Sequence, residues 1–135
     1  MKKRLNCIML VDDSPDDNFI HERTIKKFDL SILIVTKYSG KEALEYLIAK
    51  EEPCPDLIFL DINMPEMNGW EFLEGYNQLD KELQSQTIIN MLTTSENPDD
   101  LAKAKMWGIV SGYITKPLTK EMVKDIAGKY FDYQD

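Results

Sequence analysis

Five polar side chains stand where apolar or β-branched runs stop, and together they outline a chemistry. Asp12 and Asp13 follow Leu5 to Val11, Asp61 follows Leu57-Ile58-Phe59-Leu60, Thr93 follows Ile88 to Leu92, and Lys116 closes Gly112 to Thr115. If these runs are neighbouring parallel strands, their carboxyl ends share one edge, where open α/β sheets bind ligands. Three carboxylates in reach of one another repel, so one of them protonates unless a cation holds the group together. An all-oxygen set with few ligands suits Mg²⁺, which keeps waters and takes one or two carboxylates plus a phosphate oxygen. An ammonium and a hydroxyl beside one carboxylate supply the charge neutralisation and positioning that phosphoryl transfer requires, with Asp61 as nucleophile. Each residue alone has a plainer use. Acids before a helix cap it and complement its dipole, a strand-end threonine is structural, and a lysine before proline is a solvated surface residue. The weight lies in their common edge.

The elements that must deliver these residues can be read in order. Leu57 to Leu60, bounded by Pro55 and Pro65, is a continuous apolar run and reads as a strand buried on both faces of a parallel sheet. Leu5 to Val11 is a first strand, and Ser14-Pro15-Asp16-Asp17 opens a helix to about Phe28 with Ile20, Thr24 and Phe28 on its inward side. Ile32 to Tyr38 is a second strand, followed by a capping box, Ser39-Gly40-Lys41-Glu42, and a helix whose core face is Ala43, Leu44, Leu47 and Ile48. After Pro65 the turn Glu66-Met67-Asn68-Gly69 leads into a third helix through Trp70, Phe72 and Leu73, which frays into a long polar connection over residues 77–87. Ile88 to Leu92 is a fourth strand. Asn97-Pro98-Asp99-Asp100 starts a short helix to about Trp107-Gly108, Gly112 to Thr115 is a brief fifth strand, and Thr119 caps a last helix from Lys120 to about Tyr130. The alternation predicts an α/β fold, a doubly wound five-stranded parallel sheet of order 2-1-3-4-5 with five helices on its two faces, flavodoxin-like in topology. One domain is expected over residues 1–135, with its core at about 5–130.

The bulk numbers exclude several classes. The chain has 135 residues, 43% hydrophobic and 30% charged, an ordinary globular balance. A formal net charge of −8 argues against a nucleic-acid-binding face, which needs clustered Lys and Arg. Cys7 and Cys54 fit neither a zinc spacing nor a disulfide framework, and unpaired thiols point to a cytoplasmic setting. No segment approaches the roughly 20 apolar residues of a membrane span.

The motifs resemble the receiver domain of bacterial two-component response regulators over essentially the whole chain. They are Asp12-Asp13 after the first strand, Asp61-Ile62-Asn63-Met64-Pro65 with Gly69, Thr93 after the fourth strand, and Tyr113-Ile114-Thr115-Lys116-Pro117. The resemblance implies that Asp61 accepts a phosphoryl group from a phosphohistidine on a sensor histidine kinase or phosphotransfer protein. It implies Mg²⁺ ligation by Asp13, Asp61 and the backbone carbonyl of Asn63, with Asp12 acting mainly through water. Lys116 would pair with Asp61 and then with the phosphoryl group, Thr93 would hydrogen-bond a phosphoryl oxygen, and Tyr113 would be an aromatic switch. A cis peptide at Lys116-Pro117 is also implied, and X–Pro bonds tolerate it at little cost. Output would pass through a surface made by the fourth helix, fifth strand and fifth helix to a downstream protein, or the phosphate would be relayed. The implied role is a stand-alone switch in phosphorelay signal transduction, a phosphoacceptor rather than an enzyme.

One ambiguity stays open. The Gly108 to Gly112 segment is one residue longer than the family's usual approach, so counting back from Gly108 selects Thr93 and counting back from Tyr113 selects Thr94. Thr93 is preferred because the extra residue fits best after Gly108. A rival reading, a Mg²⁺-dependent phosphatase-like enzyme with Asp61 as nucleophile, wants a second acid two residues on, where Asn63 stands. A flavodoxin-like flavin carrier wants a phosphate-binding loop after the first strand, where Asp12-Asp13-Ser14-Pro15-Asp16-Asp17 would repel a phosphate. His21 reads as solvated or partner-facing, Trp70 and Trp107 as packing, Ser95 with Asn63 as flanking the approach of water to the site, and residues 132–135 as a frayed end.

Overall fold

The computed structural model of the protein describes residues 3–94 and 98–132, apart from the side chains of Leu101 and Lys105. The helix start expected at Asn97, the flanking Ser95 and the tail residues Tyr133, Gln134 and Asp135 lie outside the described residues. The order is β1 (Cys7–Val11), α1 (Pro15–Phe28), β2 (Leu33–Lys37), α2 (Gly40–Ile48), β3 (Leu57–Asp61), α3 (Gly69–Tyr76), α4 (Lys81–Ser85), β4 (Ile88–Thr93), α5 (Pro98–Met106), β5 (Val110–Thr115) and α6 (Lys120–Tyr130). The strands form one parallel sheet of order β2-β1-β3-β4-β5, the doubly wound arrangement expected.

Strand alternation sorts the core onto two faces. Met9, Val11, Ile58, Leu60, Ile89 and Met91 point to one side and pack with Leu44, Leu47, Phe72 and Leu73. Ile8, Leu10, Leu57, Phe59 and Leu92 point to the other and pack with Ile25, Val123 and Ile126. β1 and β3 are buried along their whole length, which is why they read as unbroken apolar runs.

Local chemistry sets the helix starts. Ser14 accepts a hydrogen bond from the Asp17 N–H, Ser39 from Glu42 and Thr119 from Met122. The expected capping box at Ser39 is only half formed, because the Glu42 side chain accepts from the Tyr38 N–H rather than from Ser39. The reciprocal box sits instead at Asn68 and Glu71, where α3 leaves the turn that follows Asp61.

Four expectations are corrected. On α1 the buried residues are Asn18, His21 and Ile25, whereas Ile20 is exposed. The inward stripe is rotated by about one residue because it carries two polar side chains that apolar periodicity cannot see. On α2, Ile48 is exposed and Tyr46 is buried. The polar connection after α3 contains α4, capped by Asp80, so six helices rather than five are described. β5 begins at Val110, two residues earlier than expected. Val110 pairs with Ile89 and Gly112 with Asn90, which leaves Ser111 as the extra residue of a bulge.

Candidate functional site

Register brings the polar strand ends together. Val11 pairs with Leu60 and Asp61 with Leu92, while Thr93 pairs with Thr115. Asp12, Asp61, Thr93 and Lys116 therefore leave adjacent strands at one level. Asp12, Asp13 and Asp61 each offer a carboxylate oxygen, and these atoms lie within 4.8 Å of one another. Asp12 and Asp61 are buried and Asp13 is exposed. Like charges this close stay ionised together only beside a cation, and Lys116, just after β5, brings one to Asp12 and Asp61.

The Lys116 ammonium donates to Asp12 Oδ2 at 2.6 Å and to Asp17 Oδ2 at 2.9 Å, and stands 3.3 Å from Asp61 Oδ1. Its contacts with Asp12 and Asp17 are thus shorter than the pairing with Asp61 that the sequence led us to expect. Asp17, read from sequence only as a dipole partner, is a fourth acid of the site. Its signal was present: the cap at Ser14 turns the first helical residues back over the strand that ends at Asp12. Burial pulls Lys116 toward the neutral form, but the hydrogen bonds it donates to Asp12 and Asp17 and the charge of Asp61 outweigh this and raise its pKa above the usual lysine range. Burial and the neighbouring Asp12 charge push Asp61 up to about 6, with Lys116 offsetting part of the rise.

The loop after Asp61 is tightly constrained. The Gly69 N–H donates to the Ile62 carbonyl at 2.8 Å, and a Cβ at Gly69 would lie 2.9 Å from the Asp61 carbonyl oxygen, a backbone atom that cannot move aside. Only glycine lets α3 start this close to the end of β3. Glu66 adopts the left-handed conformation, φ 66°, at the apex of the turn. Asn63 is exposed on the same turn.

Of the two candidate hydroxyls, Thr93 is fully buried and Thr94 is exposed. The Thr93 carbonyl accepts the Lys116 N–H at 2.6 Å, which joins the ends of β4 and β5 directly. The insertion at Ser111 is what made counting from Tyr113 point to Thr94. Tyr113 is half-buried on β5 opposite Met91, and the Lys116–Pro117 peptide is cis, as is Glu52–Pro53.

His21 departs from the expectation of a solvated or partner-facing side chain. It is buried on α1, and burial, reinforced by the charge of Lys116, lowers its pKa against the opposing effect of Asp12 and Asp17. Beside it Asn18 donates to the Asp12 and Lys37 carbonyls at 3.0 and 3.2 Å, tying α1 to the ends of β1 and β2. Neither side chain had a sequence signal apart from its place on the first turns after the acidic pair.

Comparison with known proteins agrees with this geometry. The family profile of the response regulator receiver domain matches residues 8–127. The chain is 31% identical over 126 residues to the response regulator Rcp1 of Synechocystis sp., covering 90% of this chain and 84% of Rcp1. It is 30% identical over 125 residues to the sensor histidine kinase CheAY of Helicobacter pylori, covering 88% of this chain and spanning 14% of the length of that protein. A crystal structure of a two component response regulator from Cytophaga hutchinsonii superposes with a TM-score of 0.86 at 29% identity, covering 95% of this chain and 98% of the other. The chain belongs to the response regulator receiver domain family.

Proposed function

We propose that the protein is a phosphorylation-controlled switch that takes a phosphoryl group onto Asp61 from a phosphohistidine of a sensor histidine kinase or phosphotransfer protein. The observation that carries this reading is the placement of Asp61, buried and fixed at the end of a central strand, 3.3 Å from the Lys116 ammonium. An Asp61 carboxylate oxygen attacks phosphorus, the P–N bond breaks as the P–O bond forms, and the imidazole nitrogen leaves with the electron pair and takes up a proton. Lys116 meets the negative charge of the incoming group, and the Thr93 hydroxyl donates to a phosphoryl oxygen.

The cluster also fits Mg²⁺. Three hard carboxylate oxygens converge from Asp12, Asp13 and Asp61, and the one ammonium found beside them among the described residues, that of Lys116, leaves the site net negative. Asp13 and Asp61 would hold the ion, with the Asn63 carbonyl as a further ligand and Asp12 through water. When bound, it would neutralise charge on the phosphoryl oxygens.

Phosphorylation adds about −1.5 to −2 charge at one point. Thr93 and Lys116 are drawn toward it, and because the Lys116 N–H is bonded to the Thr93 carbonyl, their movement strains the end of β5. With α4 counted, the expected output surface is α5, β5 and α6, with Tyr113 as its aromatic switch. A downstream protein reads that surface, or the phosphate passes on to another histidine.

Incubation with acetyl phosphate and Mg²⁺ followed by intact-mass measurement tests this. One acid-stable, base-labile phosphoryl adduct is expected, absent in Asp61→Asn. Steady hydrolysis of a phosphate ester without any adduct would overturn the proposal.

A further inference from the structure

The first turn of α1 carries two neighbouring acids, Asp16 and Asp17, directly after the Ser14 cap and Pro15. As partners of the helix dipole the two are equivalent, since either carboxylate meets the unpaired N–H groups of that turn. Tertiary structure separates them. Asp16 is exposed, whereas Asp17 is half-buried and accepts from the Lys116 ammonium at 2.9 Å. Asp12, Asp17 and Asp61 are the acids that meet Lys116, and Asp16 is not one of them.

The ammonium has three protons and three carboxylates around it, and its longest contact, 3.3 Å, is the one to Asp61. Where it stands is therefore a balance of pulls. Asp12 and Asp61 pull from the sheet edge, and Asp17 pulls from α1. Lys116 does not need Asp17 to be ordered. The bond to Asp12 at 2.6 Å and the main-chain bond from the Lys116 N–H to the Thr93 carbonyl already bring it to the site. What Asp17 adds is a draw away from Asp61.

We infer that Asp17 is a positioning residue for the phosphoryl transfer, one that draws the Lys116 ammonium off Asp61 and thereby slows uptake of the phosphoryl group. The inference rests on the phosphoacceptor reading of Asp61. A phosphoryl group arriving there needs the ammonium on its own oxygens, and it arrives beside the negative charge of Asp17, so both effects of the acid oppose it. The Asp17 side chain is 37% exposed against 10% for Lys116, so water screens its pull and the effect is that of a partly exposed ion pair.

The test times uptake by the full chain from acetyl phosphate at saturating Mg²⁺, read by intact mass where the rate is proportional to donor. In that reaction an Asp61 oxygen attacks phosphorus, and acetate leaves with the bonding electron pair. Asp17→Asn is expected to take up the group about fivefold faster than wild type, and Asp16→Asn, which loses the same charge one residue away, to stay within about twofold of it. A second readout needs neither metal nor phosphate. In metal-free protein labelled with ¹³C at lysine Cε, the Lys116 signal should move in Asp17→Asn and stay in place in Asp16→Asn. A rate in Asp17→Asn equal to or below that of wild type overturns the inference. So does an equal gain in Asp16→Asn, which would mark general charge repulsion, or an unmoved Lys116 signal. A wild type that forms no adduct sinks the phosphoacceptor reading and this inference with it, whereas a normal wild-type adduct beside an unaltered Asp17→Asn rate sinks this inference alone.

Discussion

Two buried aspartates sit five residues apart at opposite ends of the same strand, and they are treated oppositely. Asp56, just before β3, accepts the Asn6 and Cys7 N–H groups with Oδ2 at 2.8 and 3.0 Å and pairs its Oδ1 with Lys3 at 2.7 Å. Both of its oxygens are satisfied, and it fastens the amino-terminal segment to the sheet. The same corner joins the chain ends, since Lys3 forms a β-bridge with Phe131 and its carbonyl accepts the Asp132 N–H. Asp61 faces Asp12 and Asp13 and shares one ammonium with Asp12 and Asp17. One carboxylate is built in to hold the fold, and the other is held in an environment that disfavours its charge.

Breaking the stabilising end should have the largest effect. Asp56→Ala orphans two backbone donors and is expected to destabilise the protein by about 2–4 kcal/mol, read from urea denaturation. A loss below about 1 kcal/mol would show that Asp56 is not the clamp described.

Asp61→Asn should go the other way. Removing a buried charge whose pKa is raised from 3.8 to about 6 is expected to stabilise the protein by about 2–3 kcal/mol at neutral pH without divalent cation. The proposed Mg²⁺ site predicts that adding the cation narrows the gap, since it would stabilise the native wild type that holds it. A destabilised Asp61→Asn protein in metal-free buffer would contradict the contrast between the two strand ends.

The pH dependence sharpens the same point. The folded pKa of Asp61 lies above its unfolded value, so between pH 3.8 and about 6 the folded state binds the extra proton. Its contribution is fully present below pH 3.8 and is lost as pH rises toward and through about 6. The stability of wild type relative to Asp61→Asn, from melts across this range, should fall with rising pH, and a flat difference would refute the assignment. Asn68→Ala provides the smallest effect, a neutral change near the functional edge. Losing its capping box should cost about 1 kcal/mol at every pH and leave the pH profile unchanged.

The apolar runs and cap signals made the sheet order, the two-faced core and the residues at the strand ends legible in advance, because burial on two faces leaves no polar residue inside β1 or β3. Partnerships were less legible. Lys116 lies nearer to Asp12 and Asp17 than to Asp61, since α1 swings its first turn over the site and ammonium placement is a matter of distances that no strand-end rule supplies. Asn18, His21 and Asn90 escaped for a related reason, as a periodicity built on hydrophobicity assigns a polar residue outward by default. The burial of Asn18 follows from its hydrogen bonds to the Asp12 and Lys37 carbonyls, and that of Asn90 from the space left by Gly112.

The sequence by itself determined that strands end in Asp12, Asp13, Asp61, Thr93 and Lys116, because parallel pairing puts every carboxyl end on one edge whatever the details. Tertiary structure alone decided which of these touch, that the insertion before Gly112 is absorbed as a bulge at Ser111, and that Asp56 is quenched while Asp61 is not. Those outcomes depend on where backbone donors and one ammonium come to rest, and that is fixed by packing between elements far apart in the chain.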